Sequence, residues 1–273
     1  MSKLRILVIC RRILYISIFI LLIFALVIIP LLIYFLGLPV DTFVDPKSGI
    51  IVIDPGHGGI DGGTNKDGIL EKDINLSIAK KLKGILEKNG YKVIMTREED
   101  ISLEQLSDKG GSRHQRDLNA RVDIINNSNA QLFVSIHVNC NMKRPATDGS
   151  IVFYSDKYEQ NKILAYSIQR ALNDMTINGK KRTIHDPQKG KYFILNNAQV
   201  PGVIVETAFI SNPVEKELLL KDEFQMQIAE RIAQGIADYL YKPEIVLKLI
   251  HFSSNKHLLF SQFLLNLSSI KVK

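Results

Sequence analysis

The sequence has little cysteine, only Cys10 and Cys140 in 273 residues, and it has no internal repeat and no low-complexity tract. That absence rules out a disulfide-stapled scaffold. With 46% hydrophobic and 23% charged residues, the composition is that of a globular chain and not of a disordered or collagenous one. The body also lacks surplus charge. The net charge is +7, but residues 1–12 supply +4 through Lys3, Arg5, Arg11 and Arg12, residues 244–273 supply +3, and residues 13–243 sum to zero. The basic surplus sits at the two ends and the body is neutral overall, so no nucleic-acid partner is expected.

Charge is missing altogether from Ile13 to Val40, a run of 28 residues. About 20 suffice to cross a bilayer as helix. The run reads as a single membrane anchor, with residues 1–12 as a cytoplasmic basic segment because Arg11 and Arg12 stay inside. Everything beyond a linker at 41–48 then lies on the extracytoplasmic side. A cleaved signal peptide is the rival, but its apolar core spans about 7–15 residues and ends at small residues. Here the run ends in Leu36-Gly37-Leu38-Pro39-Val40. Cys10 precedes the run, which argues against a lipoprotein-type cysteine, and the two cysteines lie on opposite sides of the membrane.

From residue 49 to 242 short apolar runs alternate with helical periodicity. Ile50 to Ile53 is a buried strand that ends in Asp54-Pro55-Gly56, and Gly56 to Gly68 is a glycine-rich loop. Ile74, Ile78, Leu82 and Ile85 recur every three or four residues until Asn89-Gly90, a helix with a glycine stop. Strands follow at Tyr91–Met95, Leu132–His137, Ser150–Tyr154 and Val203–Glu206. Helices follow after Ser112, over 158–175 and from Asn212-Pro213 to Pro243. This order implies an α/β fold with a mixed, mainly parallel sheet covered by helices on both faces.

His57 lies just past the first strand, His137 closes the third and Glu206 closes the last, while Glu71 opens the first helix. Ligands of such sheets bind off the carboxyl ends of the strands, so these residues should converge. One histidine at a strand end is ordinarily structural, but two with two glutamates match a catalytic zinc site: three ligands, one open position and a further carboxylate for proton transfer. Glu206 in Val-Ile-Val-Glu-Thr is too costly to bury without a partner or a task. The glycine-rich loop lacks the Lys-Ser/Thr of a phosphate-binding loop.

Four segments carry a resemblance: Ile53-Asp54-Pro55-Gly56-His57-Gly58-Gly59, Glu71-Lys72-Asp73-Ile74-Asn75-Leu76, Ser135-Ile136-His137-Val138-Asn139 and Val205-Glu206-Thr207-Ala208-Phe209-Ile210-Ser211-Asn212. In this order, with Thr96-Arg97 and Asp100, the chain resembles the zinc-dependent N-acetylmuramoyl-L-alanine amidases of type 3. The resemblance implies that His57, Glu71 and His137 bind Zn2+ and that Glu206 is the catalytic carboxylate. It also implies peptidoglycan as substrate, cut at the amide between muramic acid and L-alanine of the stem peptide. Ser112-Arg113 to Asn126 is similar to the germination-specific branch, which trims spore cortex so that muramic lactam forms. Many members carry Ala-Asn where this chain has Ala120-Arg121, a departure that fits this branch.

The alternatives are a vegetative autolysin or cell-separation amidase, a zinc peptidase, and a non-catalytic peptidoglycan-binding homologue. The motif order opposes the peptidase, and the intact set of four residues opposes the non-catalytic reading. A protein partner that activates the enzyme is an open expectation. Other residues carry smaller claims: Asn139 in orienting the site, and His185, ahead of His114, in touching substrate. Lys180-Lys181-Arg182 reads as a solvated loop and Cys140 as a free, partly buried thiol. The apolar, basic tail at 243–273 has no assigned role.

Overall fold

The computed structural model describes residues 15–19, 21–28, 49–177 and 179–241. The chain divides into two units, Met1–Asp45 and Pro46–Lys273. In the first, residues 15–19 and 21–23 are helical and Phe24–Ile28 form a π-helical turn, with Tyr15, Phe19, Leu21 and Leu26 exposed. Among the described residues no helix is long and apolar enough to cross a membrane. The expected anchor at 13–40 lies partly outside the described residues, and the basic segment 1–12, the linker 41–48 and the tail 243–273 lie wholly outside them.

The second unit is built on a six-stranded sheet. Its strands are β1 (Ile50–Pro55), β4 (Lys92–Met95), β5 (Ala130–Asn139), β6 (Ile151–Tyr154), β9 (Gln188–Lys189) and β10 (Gly202–Phe209), in the order β4-β1-β5-β10-β6-β9. β4, β1, β5 and β10 run parallel, and β6 lies antiparallel to β10. The mixed, mainly parallel sheet expected from the sequence is the one found. Two small hairpins lie outside it, β2 (Asn65–Lys66) with β3 (Ile69–Leu70), and β7 (Thr176–Ile177) with β8 (Lys180–Lys181).

Alternation along each strand sorts its side chains between two apolar layers. Ile51, Ile53, Val134, Ile136, Val203 and Val205 face one way, against α1 (Glu71–Lys88), α3 (Glu159–Asn173) and α6 (Asp222–Tyr241) through Ile78, Leu82, Ile168, Ile228 and Ile232. Val52, Phe133 and Ile204 face the other way, against α2 (Arg113–Asn127) and the short α4 (Phe193–Asn197). Each buried aliphatic side chain contributes roughly 1.5–3 kcal/mol relative to exposure.

The helices start and stop where their ends can be satisfied. The hydroxyl of Ser112 accepts from Gln115 N at 3.1 Å and caps α2. The Asn212 side chain accepts from Val214 N and Glu215 N, with Pro213 opening α5 (Pro213–Leu219). α1 is capped at Asn89, and Gly90 at φ 92° reverses the chain into β4.

Candidate active site

The parallel strands β1, β5 and β10 end at one edge, and the four expected residues meet there. The Glu206 position pairs with His137 across the β10/β5 ladder. Glu71 is carried to the same edge as the first residue of α1, because the loop after β1 folds back: Glu71 N donates to Thr64 O at 2.9 Å and Lys72 N to Gly62 O at 3.2 Å. Acidic residues in the first turn of α1 also suit the positive end of the helix dipole.

Glu71 Oε1 stands 3.0 Å from His137 Nδ1 and 3.3 Å from His57 Nε2. One donor atom from each of His57, Glu71 and His137 falls within 4.8 Å of the other two. Among the described residues this is the one cluster of His, Cys, Asp and Glu side chains so arranged. The imidazoles meet edge to face, with ring centroids 5.0 Å apart. Two imidazole nitrogens and one carboxylate oxygen are a donor set suited to zinc, and the loop is shaped to leave them room. A Cβ on Gly56 would sit 2.2 Å from the His137 ring, and one on Gly63 would sit 2.7 Å from both Glu71 and His57. Only glycine fits at those two places.

A ring of further groups orients these side chains. Asp61 Oδ2 accepts from His57 Nδ1 at 2.9 Å. Glu71 accepts from Thr64 N at 2.9 Å, Val138 N at 3.1 Å and Asn75 Nδ2 at 3.3 Å, and Asn75 also holds Gly56 O at 3.2 Å. Burial works to raise the Glu71 carboxyl, but the two imidazoles hold it well below the usual carboxylate range. Burial would pull the His57 imidazolium down, yet Glu71 and then Asp61 raise it to about 9.

Glu206 is treated differently. Its Oε2 is buried with no hydrogen-bond partner, and burial pushes the carboxyl up to about 7, against the pull of His137. Just beyond it the β10 ladder is interrupted before Phe209, and Thr207 Oγ1 takes up the His137 carbonyl at 2.9 Å. A carboxyl beside the His57, Glu71 and His137 cluster, with one oxygen unengaged and a proton affinity near neutrality, is equipped to move protons.

The lesser expectations fare unevenly. A cavity of about 260 Å³ beside His57 is lined by Asp61, Ser102, Glu104, Arg113 and His114, so His114 and not His185 borders the site. His185 Nε2 is engaged by Asp148 O at 2.7 Å. Cys140 is a free, half-buried thiol as expected. The solvated reading of the basic run holds for Lys180 and Lys181 and fails for Arg182, which is buried and donates to Glu215 at 2.6 Å. The carboxylate 33 residues away supplies the charge that makes burial tolerable. Sequence reasoning missed the roles of Asp61 and Asn75. Asn75 carried a signal, since it lies one helical turn after Glu71 on the same face.

Two imidazoles and two carboxylates at the carboxyl edge of a doubly covered, mainly parallel sheet are groups suited to hydrolytic chemistry. A family model described as N-acetylmuramoyl-L-alanine amidase matches residues 51–238, and the chain belongs to that family. Its activity is that of an amidase acting on peptidoglycan. The chain is 40% identical over 198 residues to the germination-specific N-acetylmuramoyl-L-alanine amidase of Bacillus subtilis, covering 71% of this chain and 81% of that one. A solved structure of the CwlD amidase from Clostridioides difficile in complex with the GerS lipoprotein matches with a TM-score of 0.63 and 35% identity, over 71% of this chain and 98% of that one. The amidase AmiC2 of Nostoc punctiforme matches with a TM-score of 0.60 and 33% identity, over 72% and 98%.

Proposed function

We propose that this amidase is zinc-dependent, with His57, Glu71 and His137 as the metal ligands and Glu206 as the residue that transfers protons. The observation that carries the reading is the convergence of three donor atoms within 4.8 Å beside a carboxyl whose Oε2 has no partner. Zinc, when bound, supplies Lewis acidity at a carbonyl and makes water a nucleophile at neutral pH. Glu206 takes the proton of the attacking water and returns it to the nitrogen that leaves as the amino group of L-alanine. Thr64 N, Val138 N and Asn75 hold the Glu71 carboxylate in place, and Asp61 sets the tautomer and direction of the His57 ring. His57→Ala and His137→Ala are expected to lose zinc together with turnover, whereas Glu206→Ala keeps zinc and loses turnover. Normal zinc content in both histidine variants would refute the ligand assignment.

The finer reading is modification of spore cortex, with muramic lactam formation as its outcome. It is supported by the 40% identity to the germination-specific enzyme and by the likeness to CwlD. Spores that lack this chain should then have cortex without muramic lactam and fail to germinate, while vegetative cells separate normally; chains of unseparated vegetative cells would favour the autolysin reading. The partner expectation gains support from the GerS complex of that neighbour. The 28 uncharged residues at 13–40 are proposed as a single-pass anchor that leaves residues 49–242 as an extracytoplasmic catalytic domain. Removal of residues 1–44 should release a soluble, zinc-binding protein.

A further inference from the structure

The chain leaves β1 through three consecutive carbonyls, and guanidinium groups hold all three. Arg97 donates from Nε to Pro55 O at 3.0 Å, and from Nη2 to Gly56 O at 3.0 Å and Lys72 O at 2.9 Å. Arg121, reaching across from α2, donates from Nη1 to Pro55 O at 2.8 Å and from Nη2 to His57 O at 2.6 Å. The rest of the Arg121 fork is anchored by Asp54 Oδ1 at 2.7 Å and Asp117 Oδ2 at 2.6 Å. Asp54 is in turn fixed by Thr96 Oγ1 and Ser135 Oγ, each at 2.6 Å. Arg121 is only 2% exposed, so its geometry is set by these partners and not by solvent.

His57 needs such a hold. Its φ of 63° lies in the left-handed region, which side chains with a Cβ adopt at a cost and keep only where the surroundings impose it. We propose that Arg121 is a positioning residue for the metal site: it ties the His57 peptide to Asp54 and thereby aims the His57 imidazole at Glu71 and His137. The inference rests on the reading of His57 as a metal ligand. Arginine suits the task because its rigid fork serves Asp117 through Nε, Asp54 and Pro55 through Nη1, and His57 through Nη2 at the same time. A lysine ammonium keeps the charge opposite Asp54 but is a single point and cannot reach both ends of this set.

The test uses the full chain and three readouts: zinc affinity by competition with a chromophoric chelator, the absorption spectrum of the cobalt(II)-loaded protein, and the melting temperature of the metal-free protein. Thr96→Val is the control, because it removes a hydrogen bond from Asp54 without touching the His57 peptide. Arg121→Lys should bind zinc about 10–100-fold more weakly, with an altered cobalt spectrum. Thr96→Val should lower the melting temperature and leave zinc affinity unchanged. If Arg121→Lys does not fold, the pair Asp54→Asn/Arg121→Gln removes both buried charges together and should show the same loss of affinity. Zinc affinity within twofold of the parent in the variant that folds, or equal weakening in Thr96→Val, would overturn the proposal and leave Arg121 a purely structural residue. A parent protein that bound no zinc would instead overturn the ligand reading, and the inference with it.

Discussion

The two sides of the catalytic edge treat a carboxylate in opposite ways. On the β1 side, Glu71 and Asp54 are saturated with donors and held as anions. On the β10 side, Glu206 keeps an unpartnered Oε2 and a raised proton affinity. Lack of donors on that strand is not the reason, since Glu215 nearby accepts from Gly149 N, Phe209 N and Arg182. In the proposed reading the difference separates two tasks. A ligand must stay ionised and still, whereas a proton carrier must be free to change state near neutral pH, which full hydrogen bonding would prevent.

Changes to either side break the comparison in different ways. The largest effect is expected from Glu206→Gln, which should lower kcat by roughly 10²–10⁴-fold while zinc content and melting temperature stay near the parent values. Steady-state kinetics on purified peptidoglycan check this. The parent rate should rise with pH as Glu206 loses its proton, with the acidic limb at or below pH 7, because a bound cation pulls the same carboxyl down from about 7.

Arg182→Ala removes the guanidinium that pairs with the buried Glu215 carboxylate and leaves it only backbone donors. It should cost about 3–5 kcal/mol of stability, read by denaturant unfolding, with little change in turnover per folded molecule. Metal affinity should depend on pH through the saturated side. Zinc competes with the proton that His57 retains up to about 9, so its affinity should climb about tenfold per pH unit below that value and level off above it. Titration calorimetry at several pH values measures the slope. Ser112→Ala, which removes the cap of α2 and touches neither carboxylate, should cost about 1 kcal/mol and leave the pH profile of activity in place.

The site was legible because its residues stand at the ends of apolar runs. Ile50 to Ile53, Leu132 to Ile136 and Val203 to Val205 read as buried strands, so the polar residues that close them, His57 shortly after and His137 and Glu206 directly, were expected at one edge, where the fold brings them. The sheet class followed from the alternation of strands and helices. What stayed hidden depends on partners distant in sequence or on elements too short to show a period. Lys180-Lys181-Arg182 has the composition of a surface loop, and only the fold brings Glu215 to Arg182. The two-residue β9 and the five-residue α4 leave no periodic pattern. Asp54 and Arg121 are 67 residues apart, and nothing local announces that they meet.

The most direct test of the account joins metal and chemistry in a single sample. Zinc content and peptidoglycan digestion are measured together on the purified protein, with mass spectrometry of the products and Glu206→Ala as the control. The account predicts one zinc per chain in both proteins, and release by the parent alone of stem peptides with a free L-alanine amino terminus, leaving a carboxylate on muramic acid. Release of those peptides by Glu206→Ala at the parent's rate, or by a parent protein free of metal, would contradict it.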